Sequence, residues 1–245
     1  MPRAGPLPAG LATGHVHDTV IQNAAPVMRV ARTATHTRVL SSADGYQVEV
    51  EVSSAYPDDP ASDQALVDFL GSRLHGPELG SLRVYVGTPG EISRLCGGPQ
   101  VVACYAIDEA RMYVPGEKVD GLPVEYPLTH EYGHHLAVAR SSNRWNALNW
   151  GGKHWASATN VCAHVKGGDL FPGNQGAHYF DDPGEGFADG YAHLHYPKAR
   201  WQYNDLMRPD RSTFKAIRRD VLNPSAGISS RKFRGRLGAG RGCGR

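Results

Sequence analysis

Gln47-Val48-Glu49-Val50-Glu51-Val52 alternates polar and apolar positions without a break. A period of two puts every valine on one face of a pleated strand, so this stretch predicts a half-buried β-strand. The period then lengthens. Leu66, Val67, Phe69, Leu70 and Leu74 recur at helical spacing and predict a helix over 63–74, with Ser62 or Asp63 as its N-cap and Gly76 as its stop. Residues 82–86 read as a second strand and 89–95 as a short helix. Two runs rich in β-branched and aromatic residues, 101–107 and 111–114, flank Asp108-Glu109-Ala110 and predict a hairpin.

Further along, Leu128, Leu136 and Val138, with Ala137 and Ala139 beside them, favour a helix. Residues 213–222 predict a last amphipathic helix, with Phe214, Ile217, Val221 and Leu222 on one side and Pro224 ending it. The segment 141–182 is rich in Gly, Asn, Trp and His and predicts a long loop region, of the kind that usually serves function. Trp145, Trp150 and Trp155 are expected to anchor that loop to the core rather than to line a cleft. The ends lack periodicity. Residues 1–42 read as a disordered leader or pro-segment and 226–245 as a basic, Gly-rich tail, leaving 43–225 as the folded domain.

The predicted helix around residue 130 carries His130-Glu131-Tyr132-Gly133-His134. Residues four apart share a helix face one turn apart, so the two imidazoles can each offer a nitrogen to one metal ion. Glu131 leans to the side of that face, where a carboxylate can reach a water on the metal without being a ligand itself. Gly133 costs about 1 kcal/mol inside a helix relative to Ala. Close approach of another backbone would explain it. Downstream, Glu185 and Asp189 repeat the four-residue spacing. A catalytic two-His site needs a third protein ligand, and His-His-Glu is an established zinc set. An acid one turn on can accept the free ring N–H of a ligand histidine. A solvated polar helix accounts for either motif alone but not for both together.

These five positions, His130-Glu131-x-x-His134 with Glu185-x-x-x-Asp189, resemble the gluzincin branch of the zincin metallopeptidases, the group that includes thermolysin. The resemblance covers about residues 111–196. It implies His130, His134 and Glu185 as ligands of one Zn2+ ion, Glu131 as general base, and Asp189 as the partner of a ligand histidine. It also implies an α+β, zincin-like fold, with a small mixed sheet, an active-site helix and a mostly helical C-terminal part. In such enzymes a sheet edge before the active helix binds the peptide as an added strand, here one member of the 101–114 hairpin. Residues 104–105, 150–155, 171–173 and 216–221 also resemble an uncharacterised family of secreted actinobacterial proteins, which implies export and supplies no substrate.

Composition narrows the partners. A formal net charge of +2 over 245 residues supplies no general attraction to nucleic acid or membranes, and no apolar run reaches the length of a membrane span. No continuous apolar segment near the N-terminus forms a signal peptide. Cys96, Cys104, Cys162 and Cys243 contain no CxxC pair, which argues against a thiolate zinc site. Cys96 and Cys104 suit a disulfide in an exported protein and equally two buried thiols. The expectation is therefore a secreted zinc metallopeptidase acting on peptide or protein substrates, an endopeptidase rather than an aminopeptidase or deformylase. The alternative is a non-catalytic zinc-site protein that binds partners through its basic tail.

Overall fold

The computed structural model describes residues 17–21, 34–99, 101–119, 122–223 and 243. The fold is α+β, built on one mixed sheet. Its strands are β1 (His17–Ile21), β2 (Ala34–Ser41), β3 (Gln47–Ser53), β4 (Arg83–Gly87), β5 (Val101–Ala106) and β6 (Arg111–Pro115). They lie in the order β1-β5-β6-β4-β3-β2. The inner strands β3, β4 and β6 run parallel, with β2 antiparallel to β3, β5 antiparallel to β6, and β1 parallel to β5.

The alternation in β3 has the expected consequence on one face. Val48, Val50 and Val52 are buried with Val84, Met112 and Val114 from β4 and β6. Helix α1 (Pro60–Gly71) adds Val67 and Leu70 to that core. The charged face is also largely covered. Arg111 of β6 is buried and pairs with Glu49 (3.0 Å), Glu109 (3.1 Å) and Glu51. Beside this network, α2 (Pro89–Leu95) packs Ile92 and Leu95 against Tyr85 and Tyr113. A disulfide joins Cys96, at the end of α2, to Cys104 of β5.

The C-terminal part is helical: α3 (Glu125–Ala139), α4 (Ala147–Trp150), α5 (Lys153–Ala158), α6 (Val161–Gly167), α7 (Pro183–His195) and α8 (Arg211–Leu222). Among the described residues no helix is long and apolar enough to cross a membrane. A second disulfide links Cys162 of α6 to Cys243, so all four cysteines are paired.

Several expectations change. The expected leader, 1–42, contains β1 and β2; apart from these and Ser42 its residues lie outside the described ones, as does the tail apart from Cys243. β2 lacks an apolar pattern because it is an outer strand, tied to α1 through His36 Nε2, 2.8 Å from the Asp63 carboxylate. Neither hairpin strand is a free edge, since β1 pairs with the outer side of β5. Helix α1 starts earlier than expected because Asp59 caps it, accepting from Ala61 N–H (3.0 Å) and Ser62 N–H (3.3 Å), with Pro60 in the first turn. The expected loop 141–182 holds three short helices. Asp220 of α8 caps α5, its Oδ1 accepting from His154 N–H (2.9 Å) and its Oδ2 from Trp155 N–H (2.9 Å). Trp155 is fully buried, and Trp145 and Trp150 pack against the core, as the anchoring reading expects. Pro224, the expected stop of α8, lies outside the described residues.

Candidate metal centre

Helix α3 is buried along almost its whole length, between the sheet and α7. Gly133 is where the two helices meet. A Cβ there would stand 2.7 Å from Ala188 Cα and 3.0 Å from Ala188 O on α7. Only a residue without a side chain allows that approach, which is the reason for a glycine inside a helix. His130 and His134 flank Gly133, and Glu185 and Asp189 flank Ala188. Backbone contact at one point therefore brings both four-residue pairs face to face.

The result is a triangle of donor atoms. His130 Nε2 and His134 Nε2 lie 3.1 Å apart, and Glu185 Oε2 stands 3.4 Å from the first and 3.2 Å from the second. All three residues are buried, and together they form a group that could hold a metal ion. Tetrahedral zinc with N and O ligand bonds of about 2.0–2.1 Å separates its ligand atoms by about 3.3–3.4 Å. The observed edges match that face of a tetrahedron, and the His-His-Glu donor set suits the same ion. The electrostatics agree. Burial opposes ionisation of Glu185, but the facing His134 and His130 rings outweigh it and hold its carboxyl below the usual range.

Asp189 reaches the other nitrogen of one of these rings, with Oδ1 3.4 Å from His130 Nδ1. The same oxygen accepts a hydrogen bond from Tyr126 OH (2.7 Å), and Oδ2 lies 3.3 Å from His193 Nδ1. His193 Nε2 is 3.1 Å from the Ala199 carbonyl. A buried chain thus runs from His130 through Asp189 to α7's own last turn. Glu131 is fully buried on α3 beside the two histidines. His135, the next histidine along, belongs to the core instead. It donates from Nε2 to Glu78 O (2.9 Å) and accepts at Nδ1 from Tyr105 OH (2.8 Å), as a neutral ring does, and burial lowers its pKa in agreement.

Five aromatic and histidine side chains lie close to Glu185 in sequence, His178, Tyr179, Tyr191, His193 and His195, and they separate clearly. Tyr179 OH donates to Glu185 Oε2 (3.3 Å), and His193 acts on Asp189. Tyr191 OH donates to Leu74 O (2.7 Å), and His195 Nε2 accepts from Leu74 N–H (3.4 Å). Burial pushes the His195 imidazole down to about 4, consistent with an acceptor nitrogen at neutral pH. His178 stacks on Phe171 at 3.7 Å, with its Nδ1 3.3 Å from Asp181 Oδ2. Three further residues reach the centre that sequence reasoning did not single out. Gln175 Nε2 donates to Glu185 Oε1 (2.8 Å), Tyr203 OH lies 3.1 Å from Tyr179 OH, and Tyr126 holds Asp189. Of these, only Tyr126 carried a signal, one helical turn before His130.

No family model, curated protein or solved structure matches the chain. The functional reading accordingly stands on the residues and geometry of the centre.

Proposed function

We propose that this protein is a zinc-dependent metallopeptidase of the gluzincin type, an exported endopeptidase. The observation that carries the reading is the convergence of His130 Nε2, His134 Nε2 and Glu185 Oε2 in a buried triangle with edges of 3.1–3.4 Å, with Glu131 next to it on the same helix. Three protein ligands leave a position open, as catalytic sites do, whereas structural zinc sites close with four. Export is supported by two disulfides, which persist in oxidising compartments.

When bound, zinc supplies Lewis acidity, polarising the scissile carbonyl and lowering the pKa of its water toward about 7. Glu131 takes the proton of the attacking water and passes it to the leaving amine. His130 and His134 would hold the ion through Nε2, with Asp189 accepting from His130 Nδ1–H to fix that ring's tautomer and orientation.

The test is cleavage of a mixed-sequence peptide library followed by mass spectrometry. Zinc-loaded protein runs beside a chelated sample and Glu131→Gln, each as full chain and as a chain starting at Ala34. The trimmed form keeps β2 and, by removing β1, also frees the outer side of β5. Cuts are expected only in zinc-loaded protein with Glu131, and Glu131→Gln should lose about 10²–10⁴-fold in turnover while keeping its metal. Full activity in Glu131→Gln removes that residue from the mechanism. No cuts by either zinc-loaded form removes the peptidase.

A further inference from the structure

A carboxylate can meet a metal ion with one oxygen or with both, and the choice decides how many coordination positions remain for water and substrate. The surroundings of Glu185 select one. Its Oε2 faces the two histidine nitrogens at 3.4 and 3.2 Å, while Oε1 accepts a hydrogen bond from Gln175 Nε2 at 2.8 Å. The same Nε2 lies 3.3 Å from Asp182 Oδ2. Two carboxyl oxygens on one side of the amide require its NH2 group there, since its oxygen has no proton to give.

Gln175 is presented by a constructed turn. Gly173 has φ +72, and a Cβ on it would stand 2.9 Å from Asn149 Nδ2. Asn174 Oδ1 accepts from Gly176 N–H (3.0 Å) and His178 N–H (3.2 Å), and Phe171 N–H donates to Asp181 O (3.0 Å). Asp182 fastens the turn to the start of α7, its Oδ1 accepting from Gly173 N–H (3.1 Å) and Gly184 N–H (2.9 Å). The loop and the ligand-bearing helix are therefore locked together at the point where Gln175 grips Oε1.

We propose that Gln175 is a positioning residue that holds Glu185 to a single metal-facing oxygen and so keeps open the coordination position that hydrolysis requires. The proposal rests on the metal-hydrolase reading above. Its experiment is Co2+ substitution of the full chain, read by visible absorption, whose d–d bands are intense for four-coordinate cobalt and weak for five-coordinate. Wild type is compared with Gln175→Met, which keeps the volume but has no donor. Gln175→Ala stands in if the methionine variant melts well below wild type when metal-free. The expected result is four-coordinate bands in wild type, and weaker bands with about 10–100-fold lower cobalt affinity in the variant. Unchanged bands and affinity in a folded variant overturn the proposal and leave the metal reading intact. A wild type that binds no cobalt overturns both.

Discussion

Replacing Gly133 by Ala opposes two effects of known size. In a helix interior Ala is favoured over Gly by about 1 kcal/mol, so propensity alone predicts a gain. The structure predicts a loss. The new Cβ would stand 2.7 Å from Ala188 Cα, whereas carbon atoms prefer about 3.5–4.0 Å. The obstacle is backbone and cannot swing aside, so α3 and α7 must separate by about 0.8–1 Å. Overpacking of this kind costs about 1–3 kcal/mol, here at the upper end. The net loss is about 1–2 kcal/mol, a fall in Tm of about 2–8 °C for a chain this size. The same movement stretches the inter-helix edges of 3.2 and 3.4 Å toward about 4 Å, beyond what one tetrahedral ion spans, while the 3.1 Å His–His edge within α3 is untouched. Zinc affinity should fall at least about tenfold. Thermal melts with and without chelator, and competition titration of zinc, measure both effects. Gly90→Ala is the control, because a Cβ there meets nothing closer than Arg94 Nη1 at 3.8 Å, and it should leave Tm unchanged or raised. A Gly133→Ala protein as stable as wild type with undiminished zinc affinity would refute the role given to this contact.

Two predictions concern the frame around the centre. Burial works against the Glu78 carboxylate, but Arg140 at 2.9 Å and the Gly76 N–H outweigh it and hold its pKa below the ordinary 4.5. A lowered folded value means stability that is full above the ordinary 4.5 and lost as pH falls from there through the lower folded pKa. Urea melts of wild type and Glu78→Gln should differ by about 3–5 kcal/mol at pH 7 and converge toward pH 3; a constant gap would rule out the charge pair as its source. Removing the Cys96–Cys104 disulfide, which closes a short loop with a sequence separation of 8, should cost about 2–3 kcal/mol. A Cys96→Ala/Cys104→Ala protein with unchanged denaturant midpoint contradicts that.

Much of the centre was legible before the fold, because its chemistry repeats at helical spacing. His130 and His134, and Glu185 and Asp189, are pairs one turn apart, and such pairs share a face whatever packs around them. The same holds for the strands β3 and β4, the hairpin β5–β6 and the capped helix α2, whose periods and turn residues are local. The missed elements are those whose support is distant. β2 shows no apolar alternation because its polar side chains are satisfied by α1, with Asp63 serving His36 and Arg38. Helix α5 has no capping residue of its own, since Asp220 arrives from the last helix to cap it. The partner of Cys162 is 81 residues away, a separation that carries no pattern.

The division follows from range. Period, capping and residue type act within a turn or two, so the sequence by itself determined the helix of the metal pair, the carboxylates able to complete it and the strand that starts the sheet. Which nitrogens point inward, which oxygen of Glu185 meets them, and what grips the other oxygen depend on two helices touching at Gly133 and Ala188 and on a loop folded back by Asp182. Those contacts join residues far apart in the chain. Only packing in three dimensions, where one missing Cβ sets the distance between helices, decides them.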